Sequence, residues 1–304
     1  MKNLSVFVLF LFCLTFTLNG QVTTSGISGK VTAEGELLIG ATVQAVHEPS
    51  GTTYGTVTNA DGRYSLQGMR TGGPYTVEVS YVGFQKAVYK NITLQLGETY
   101  LLDVKLTESL SLDEVVVTAS KAALFNSQKT GAAQNFNQSQ IQATPSVSRS
   151  IFDVTKMNPL GVNTASGMSF AGSSNKYNSF QIDGITNNDV FGLSSSGTNG
   201  GQAGANPISL EAIEEIQVVI APYDVRQGGF TGGGINAITK SGTNTFHGSA
   251  YWYYNNENFY GKTPGKDAKE RKKLGDQSSA TYGFTLGGPI VKDKLFFFAN
   301  YERV

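Results

Sequence analysis

The sequence is poor in the residues that build metal and redox chemistry. It has one cysteine and two histidines in 304 residues. Cys13 lies inside the apolar start of the chain. Beyond that start the chain therefore has no thiol, which excludes a disulfide framework and a thiolate metal centre. His47 and His247 fall in different segments, and Pro49 follows His47-Glu48, so no helical HExxH pair exists. Each reads as an ordinary strand or loop residue. Asp61 is not accompanied by the dense alternating carboxylates of a calcium loop. Charge of either sign is also missing in excess, with 23 basic and 23 acidic residues. Nothing points to nucleic acid or to an anionic surface. Proline is scarce at 8 residues, and no 18-residue apolar span follows the first twenty. On these residues we expect no enzyme and no cofactor.

The start is informative. Met1-Lys2-Asn3 is a short positive opening, Leu4 to Leu18 is an apolar core, and Asn19-Gly20-Gln21 is a small polar exit. This is the layout of a secretory signal peptide, residues 1–20, too short to stay as a membrane helix. The remaining chain has 36 glycines and 11% aromatic residues, with much Thr, Tyr and Phe. That composition suits a mainly β extracytoplasmic protein.

Residues 21–108 carry short alternating segments separated by turn residues. Gly29–Thr32, Ile39–Val46, Tyr64–Leu66, Tyr75–Tyr81, Ile92–Leu94 and Leu101–Leu106 are the expected strands. Asn59-Ala60-Asp61-Gly62 is the expected turn, with Asp61 bonding its own backbone and Gly62 taking positive φ. Strands at this spacing predict a β-sandwich. The pattern Gly29-x-Val31, Ile39-Gly40-Ala41-x-Val43, Asn59-Ala60-Asp61-Gly62-x-Tyr64 and Tyr75-x-Val77-x-Val79-Ser80-Tyr81-x-Gly83-Phe84 resembles the carboxypeptidase-regulatory-like domain. That resemblance implies a transthyretin-like sandwich, grouped with carbohydrate-binding-like folds, and carries no activity with it.

Residues 109–120 form a linker whose centre is Asp113-Glu114-Val115-Val116-Val117-Thr118-Ala119. Three successive valines favour an extended backbone. A strand in a tether has no sheet of its own and can add to the edge of another protein's sheet.

Residues 121–242 are rich in Gly, Asn and Ser but keep apolar pegs. Ser148–Val154 predicts a short helix. Phe180–Ile185 predicts a strand ending in an Asp-Gly turn. Leu210–Ile216 has apolar residues at i, i+3 and i+6, which predicts helical turns, and Gln217–Ile220 a strand. The run Gly228–Gly234 lets backbone pack closely before the strand Ile235–Lys240. Thr239 stands where a Walker motif has glycine, which argues against a phosphate loop. Ile185–Asn206 reads as a long mobile surface loop, which in a receptor would touch ligand.

Residues 243–304 alternate. Phe246, Gly248, Ala250, Trp252 and Tyr254 share one face, and Thr245, His247, Ser249, Tyr251 and Tyr253 the other. Tyr282, Phe284 and Leu286, then Leu295, Phe297, Ala299 and Tyr301, repeat the pattern. Alternating segments of about ten residues with aromatic ends are the signature of outer-membrane barrel strands. The long connection Asn256–Ser278 has six basic and two acidic residues between Lys262 and Lys273. It reads as a solvated outside loop, and Gly287–Lys294 as a short periplasmic turn. Three strands cannot close a barrel, so this sequence is expected to be the N-terminal part of a longer receptor.

The series Ser179-Phe180-x-Ile182-Asp183-Gly184-Ile185, Ile213-Glu214-Glu215-Ile216-x-Val218 and Gly233-Gly234-x-Asn236-x-Ile238-Thr239-Lys240-Ser241-Gly242 resembles the plug of TonB-dependent outer-membrane receptors. Ala221–Arg226 and Thr243–Gly248 are most similar to the Oar-like group, and Arg226-Gln227-Gly228-Gly229 departs slightly from usual plugs. The resemblance makes Asp113–Ala119 the TonB box. It implies an outer-membrane location with the sandwich in the periplasm. The implied partners are TonB, outer-membrane lipid and an unidentified extracellular ligand. Peptide, glycan, siderophore and protein export all stay open. The alternative is a secreted or surface binding module built on the sandwich and the Gly-rich segment.

Overall fold

A computed structural model describes residues 22–108, 132–146, 149–164, 167–203, 205–222, 227–263 and 271–304, and the backbone of 115–118. The expected signal peptide and Cys13 lie outside the described residues.

Nine strands fill the first domain: β1 (Ser25–Ala33), β2 (Glu36–Leu37), β3 (Thr42–His47), β4 (Thr52–Val57), β5 (Arg63–Met69), β6 (Gly72–Ser80), β7 (Ala87–Leu94), β8 (Thr99–Leu101) and β9 (Val104–Leu106). One sheet is built around β1, antiparallel to β2 and β5 and parallel to β8 and β9. In the other, β3 lies between β4 and β6, and β6 pairs with β7. Alternate residues such as Val43, Ala45, Val77 and Val79 point inward and meet Ile27, Val31 and Val104 from the facing sheet. That is the two-sheet packing expected when period-two strands bury one face each.

Two local readings need correction. The expected strand from Ile39 begins only at Thr42, because Gly40 takes a left-handed conformation. The Thr58 hydroxyl fixes that turn, accepting from the Ala41 N–H at 2.9 Å and donating to the Leu38 carbonyl at 2.6 Å. In the Asn59–Gly62 turn it is Asn59, not Asp61, that bonds the backbone, accepting from the Asp61 and Arg63 N–H groups at 3.0 and 2.9 Å.

A tenth strand, β10 (Val115–Thr118), joins the second sheet. It lies parallel to β7, and the sheet order is β10-β7-β6-β3-β4.

The second domain contains β11 (Ala132–Asn137), α1 (Gln138–Ala143), α2 (Ile151–Thr155), β12 (Gly161–Thr164), β13 (Gly167–Phe170), β14 (Ser179–Ile182), β15 (Ile185–Thr186), β16 (Ile213–Ile220) and β17 (Gly233–Thr239). Its main sheet has the order β11-β16-β17-β14-β15. Helix α1 starts in a capping box made by Asn137 and Gln140, and Ser150 caps α2, each accepting an otherwise orphaned N–H. The Asp183-Gly184 turn between β14 and β15 has positive φ at both residues, as a tight hairpin requires. A separate core gathers Phe136, Ile151, Phe170, Ile216 and Ile235.

The helix expected over Leu210–Ile216 is mostly strand. Only Leu210–Ala212 forms a 3-10 turn, and β16 begins at Ile213. Strand β16 is central and buried along almost its whole length, so its apolar spacing carries no amphipathic period to read. Residues 187–203 are tied by local bonds rather than left as an open loop. Asp189 accepts from the N–H groups of Phe191 and Ser194 at 3.0 and 2.6 Å.

The third region is an antiparallel meander of β18 (His247–Asn256), β19 (Ser278–Val291) and β20 (Leu295–Arg303). Strand β19 runs on through Gly287 to Val291, so the β19–β20 turn is shorter than the expected Gly287–Lys294. The apolar face looks outward, with Phe246 and Trp252 about two-thirds exposed at 67% and 69%. The polar face turns toward the second domain.

Candidate functional site

The strand singled out in the linker is held on the sandwich. Val115, Val116, Val117 and Thr118 lie opposite Ala87, Val88, Tyr89 and Lys90 in unbroken parallel register. Asp113, Glu114 and Ala119 lie outside the described residues. The end of the sandwich is fastened close by. Glu108 bridges antiparallel to Phe84, and the Gln85 N–H donates to the Thr107 carbonyl at 2.9 Å. Six residues, 109–114, therefore join an antiparallel contact just ahead of β7 to a parallel one along it.

Between sandwich and second domain the contact is buried, covering Leu96 and Val22, and it is rich in hydrogen bonds. The Leu96 N–H donates to the Glu215 carboxylate at 3.1 Å. The Leu96 carbonyl accepts from Asn135 Nδ2 at 3.1 Å and from Gln217 Nε2 at 2.6 Å. Asn236 Nδ2 donates to the Val22 carbonyl at 2.9 Å. Asn135, Gln217, Asn236 and Gln181 stand opposite one another across β11, β16, β17 and β14. One row of amides thus crosses the sheet and receives the sandwich backbone. Burial pushes the Glu215 carboxyl up to about 7, against the lowering effect of its bonds to Leu96 and Asn135. A desolvated carboxylate held only by an N–H and an amide has no cation to stabilise its charge.

The second domain meets the strand meander through Arg149. Its guanidinium lies 4.6 and 4.4 Å from the ring centroids of Tyr251 and Tyr253, and 3.2 Å from Glu211 and 3.8 Å from Glu302. The Tyr251 hydroxyl donates to Glu302 at 2.7 Å, and the Ser209 hydroxyl reaches the same carboxylate at 3.0 Å. Charge, stacking and hydroxyl bonds so converge on one junction. A cleft of about 540 Å³ opens where the three regions meet, with Arg70, Glu214 and Lys240 on its wall.

His47 is a packed sandwich residue. Its Nδ1 is 2.7 Å from the Ser50 hydroxyl and its ring is 4.8 Å from that of Tyr75. Among the described residues no group of three or more His, Cys, Asp or Glu is placed to hold a metal ion. Sequence reasoning found the linker strand. It missed Arg149, Glu302 and the amide row, because partners far apart in the chain leave no spacing signal. Glu215 was visible inside Ile213-Glu214-Glu215-Ile216, but a helical reading hid that it is a central strand residue.

Comparison with known proteins gives a consistent series. A carboxypeptidase regulatory-like domain matches residues 26–107, a TonB-dependent receptor plug domain residues 114–235, and an outer membrane beta barrel domain residues 238–304. The TonB-dependent transporter Oar of Myxococcus xanthus is 31% identical over 265 residues, 81% of this chain and 23% of that protein. A probable TonB-dependent siderophore receptor, PirA of Acinetobacter baumannii, is 38% identical over 102 residues, 33% of this chain and 12% of that protein. The solved structure of PirA aligns with 57% of this chain and 24% of its own, at 25% identity and a TM-score of 0.40. The chain thus spans less than a quarter of the length of these relatives.

Proposed function

We propose that this chain, whose sandwich, plug and barrel-strand series is that of the TonB-dependent outer-membrane receptors, serves energised uptake through a plugged barrel. The fold is mainly β throughout. In this assignment residues 21–108 are the sandwich on the periplasmic side and 109–120 the linker. Residues 121–242 are the plug, and 243–304 the first strands of a lipid-facing barrel wall. Asp113 to Ala119 is the TonB box, and no catalytic role is assigned. The ligand is extracellular and unidentified.

One observation carries the proposal most strongly. An extended, valine-rich strand sits between a sandwich and a plug, in a chain whose last strands put aromatics outward and polar groups toward that plug. A plug of this kind must be disturbed for anything to pass, and a tethered strand on its N-terminal side is the place for a partner to grip. Proline at Val116 would remove a backbone donor and fix φ. The Val116→Pro chain is expected to bind the purified periplasmic part of TonB at least tenfold more weakly, while its surface display is unchanged. Equal binding by the two chains would refute the box assignment.

A further inference from the structure

We propose that the sandwich presents the box to TonB: β10 stays docked on β7, and the TonB strand adds to the outer edge of β10. This rests on the assignment of Asp113–Ala119 as the box. Strand β10 uses one edge to pair with β7 and is the last strand of its sheet. The backbone N–H and C=O groups of a strand point alternately to its two sides. The outer row of β10 therefore meets no other strand among the described residues.

Two features fit this edge to a partner strand. Natural sheets protect exposed edges with lysine, proline, bulges or covering elements. The β10 sequence, Val115-Val116-Val117-Thr118, has no lysine or proline, and its register to β7 runs without a bulge. The tether is also short. With Glu108 bridged to Phe84 and Val115 opposite Ala87, only residues 109–114 separate two fixed points. Such a connection keeps the effective concentration of β10 at its docking edge high.

Docking then prepays an ordering cost. A free linker visits the fully extended form only part of the time, and binding to such a chain is weakened by that fraction. Held on β7, the box is extended before TonB arrives. The bound state becomes a sheet running from the sandwich through the box into the partner. Pulling on the box would then load the sandwich, and through its contact at Leu96 the plug sheet.

Residues 21–304 hold no cysteine, so a defined bridge can be engineered within them. Lys90→Cys with Thr118→Cys, and separately Tyr89→Cys with Val117→Cys, pair residues that lie opposite each other in the strand register. In the full chain in detergent, at least one pair is expected to close on oxidation or with a short thiol crosslinker. The locked chain should bind the periplasmic part of TonB within about twofold of the reduced chain, or more tightly. Failure of both pairs to close would show that β10 is not docked. A locked chain that loses binding tenfold or more, and regains it on reduction, would show that docking hides the box, and presentation would be wrong. The Val116→Pro chain separates these results from failure of the box itself. If it binds TonB as well as the parent, the strand is not the site. If it does not, while the locked chain also fails, the box stands and only its presentation falls.

Discussion

Arg149 is the residue on which the plug and the strand meander converge. Two tyrosine rings from β18, one carboxylate from β20 and one from the plug surround it. It is largely withdrawn from water, its side chain being 15% exposed. Removing it would leave Glu302 at an interface without its cation, with the Tyr251 and Ser209 hydroxyls as remaining partners. Arg149→Ala is therefore expected to destabilise the packing of plug against strands by about 2–3 kcal/mol, since unpairing a largely buried charge costs more than the pair itself contributes. Arg149→Lys keeps the charge but loses the planar stacking and the forked donors, and should fall between. Thermal unfolding of the three chains in detergent gives the order. Equal midpoints for arginine and alanine would mean that the junction is held elsewhere.

At the scale of elements, the glycine run before β17 shows what sequence can and cannot say. The run is legible as a place of close approach. The structure adds what approaches: a Cβ on Gly233 would come within 3 Å of the Phe170 ring, and one on Gly234 within 3 Å of the Phe230 ring. Aromatic rings thus lie against the strand where side chains are missing. Gly233→Ala is expected to cost about 1–3 kcal/mol, as overpacking does in a filled core, whereas Gly228→Ala, which meets nothing, should stay within about 0.5 kcal/mol. Denaturant midpoints of the two variants separate these expectations, and similar losses at both positions would sink the packing account.

The same scale explains which elements sequence locates. Strands with one wet face, such as β3, β6 and β18, declare themselves by alternation. Strand β16 does not, because both its faces are covered. The turn at Ile39-Gly40 escapes notice because apolar Ile39 extends an alternating pattern that the chain breaks with one left-handed residue. Strand β10 is legible as a strand, but its pairing with β7 is not. That pairing depends on where the linker ends fall in space.

For the whole molecule, the separateness of the two cores matters most. The sandwich core draws only on residues between Ile27 and Leu106, and the plug core only on residues between Phe136 and Ala237. Among the described residues no residue belongs to both cores. Residues 22–108 expressed alone are therefore expected to melt cooperatively with a β-type spectrum. A disordered spectrum would contradict a self-contained core.

The contact between the two domains carries buried hydrogen bonds to Leu96 and Val22, and Glu215 makes that junction sensitive to pH. Its carboxyl has an ordinary value of 4.5, and burial, to which the covering Leu96 segment of the sandwich contributes, pushes it up to about 7. The docked form thus binds a proton more tightly than the undocked form. Docking is strongest below about 4.5, weakens as pH rises toward about 7, and is flat above that. Glu215→Gln replaces the carboxylate with a neutral group of the same shape that still accepts from Leu96. It should dock at pH 8 nearly as the parent does at pH 4.5, and lose most of the pH dependence across that window, with Glu214, also raised by burial against the lowering effect of Lys240 and Arg70, as the remaining carboxyl. Spin labels at exposed Gln67 and Ser139 would read this as a distance distribution. The parent is expected to broaden between pH 5 and 8 while the glutamine variant stays narrow. If both broaden alike, the buried carboxylate is not what couples docking to pH. If neither does, the contacts of Leu96 and Val22 with the amide row hold the sandwich whether Glu215 is charged or not.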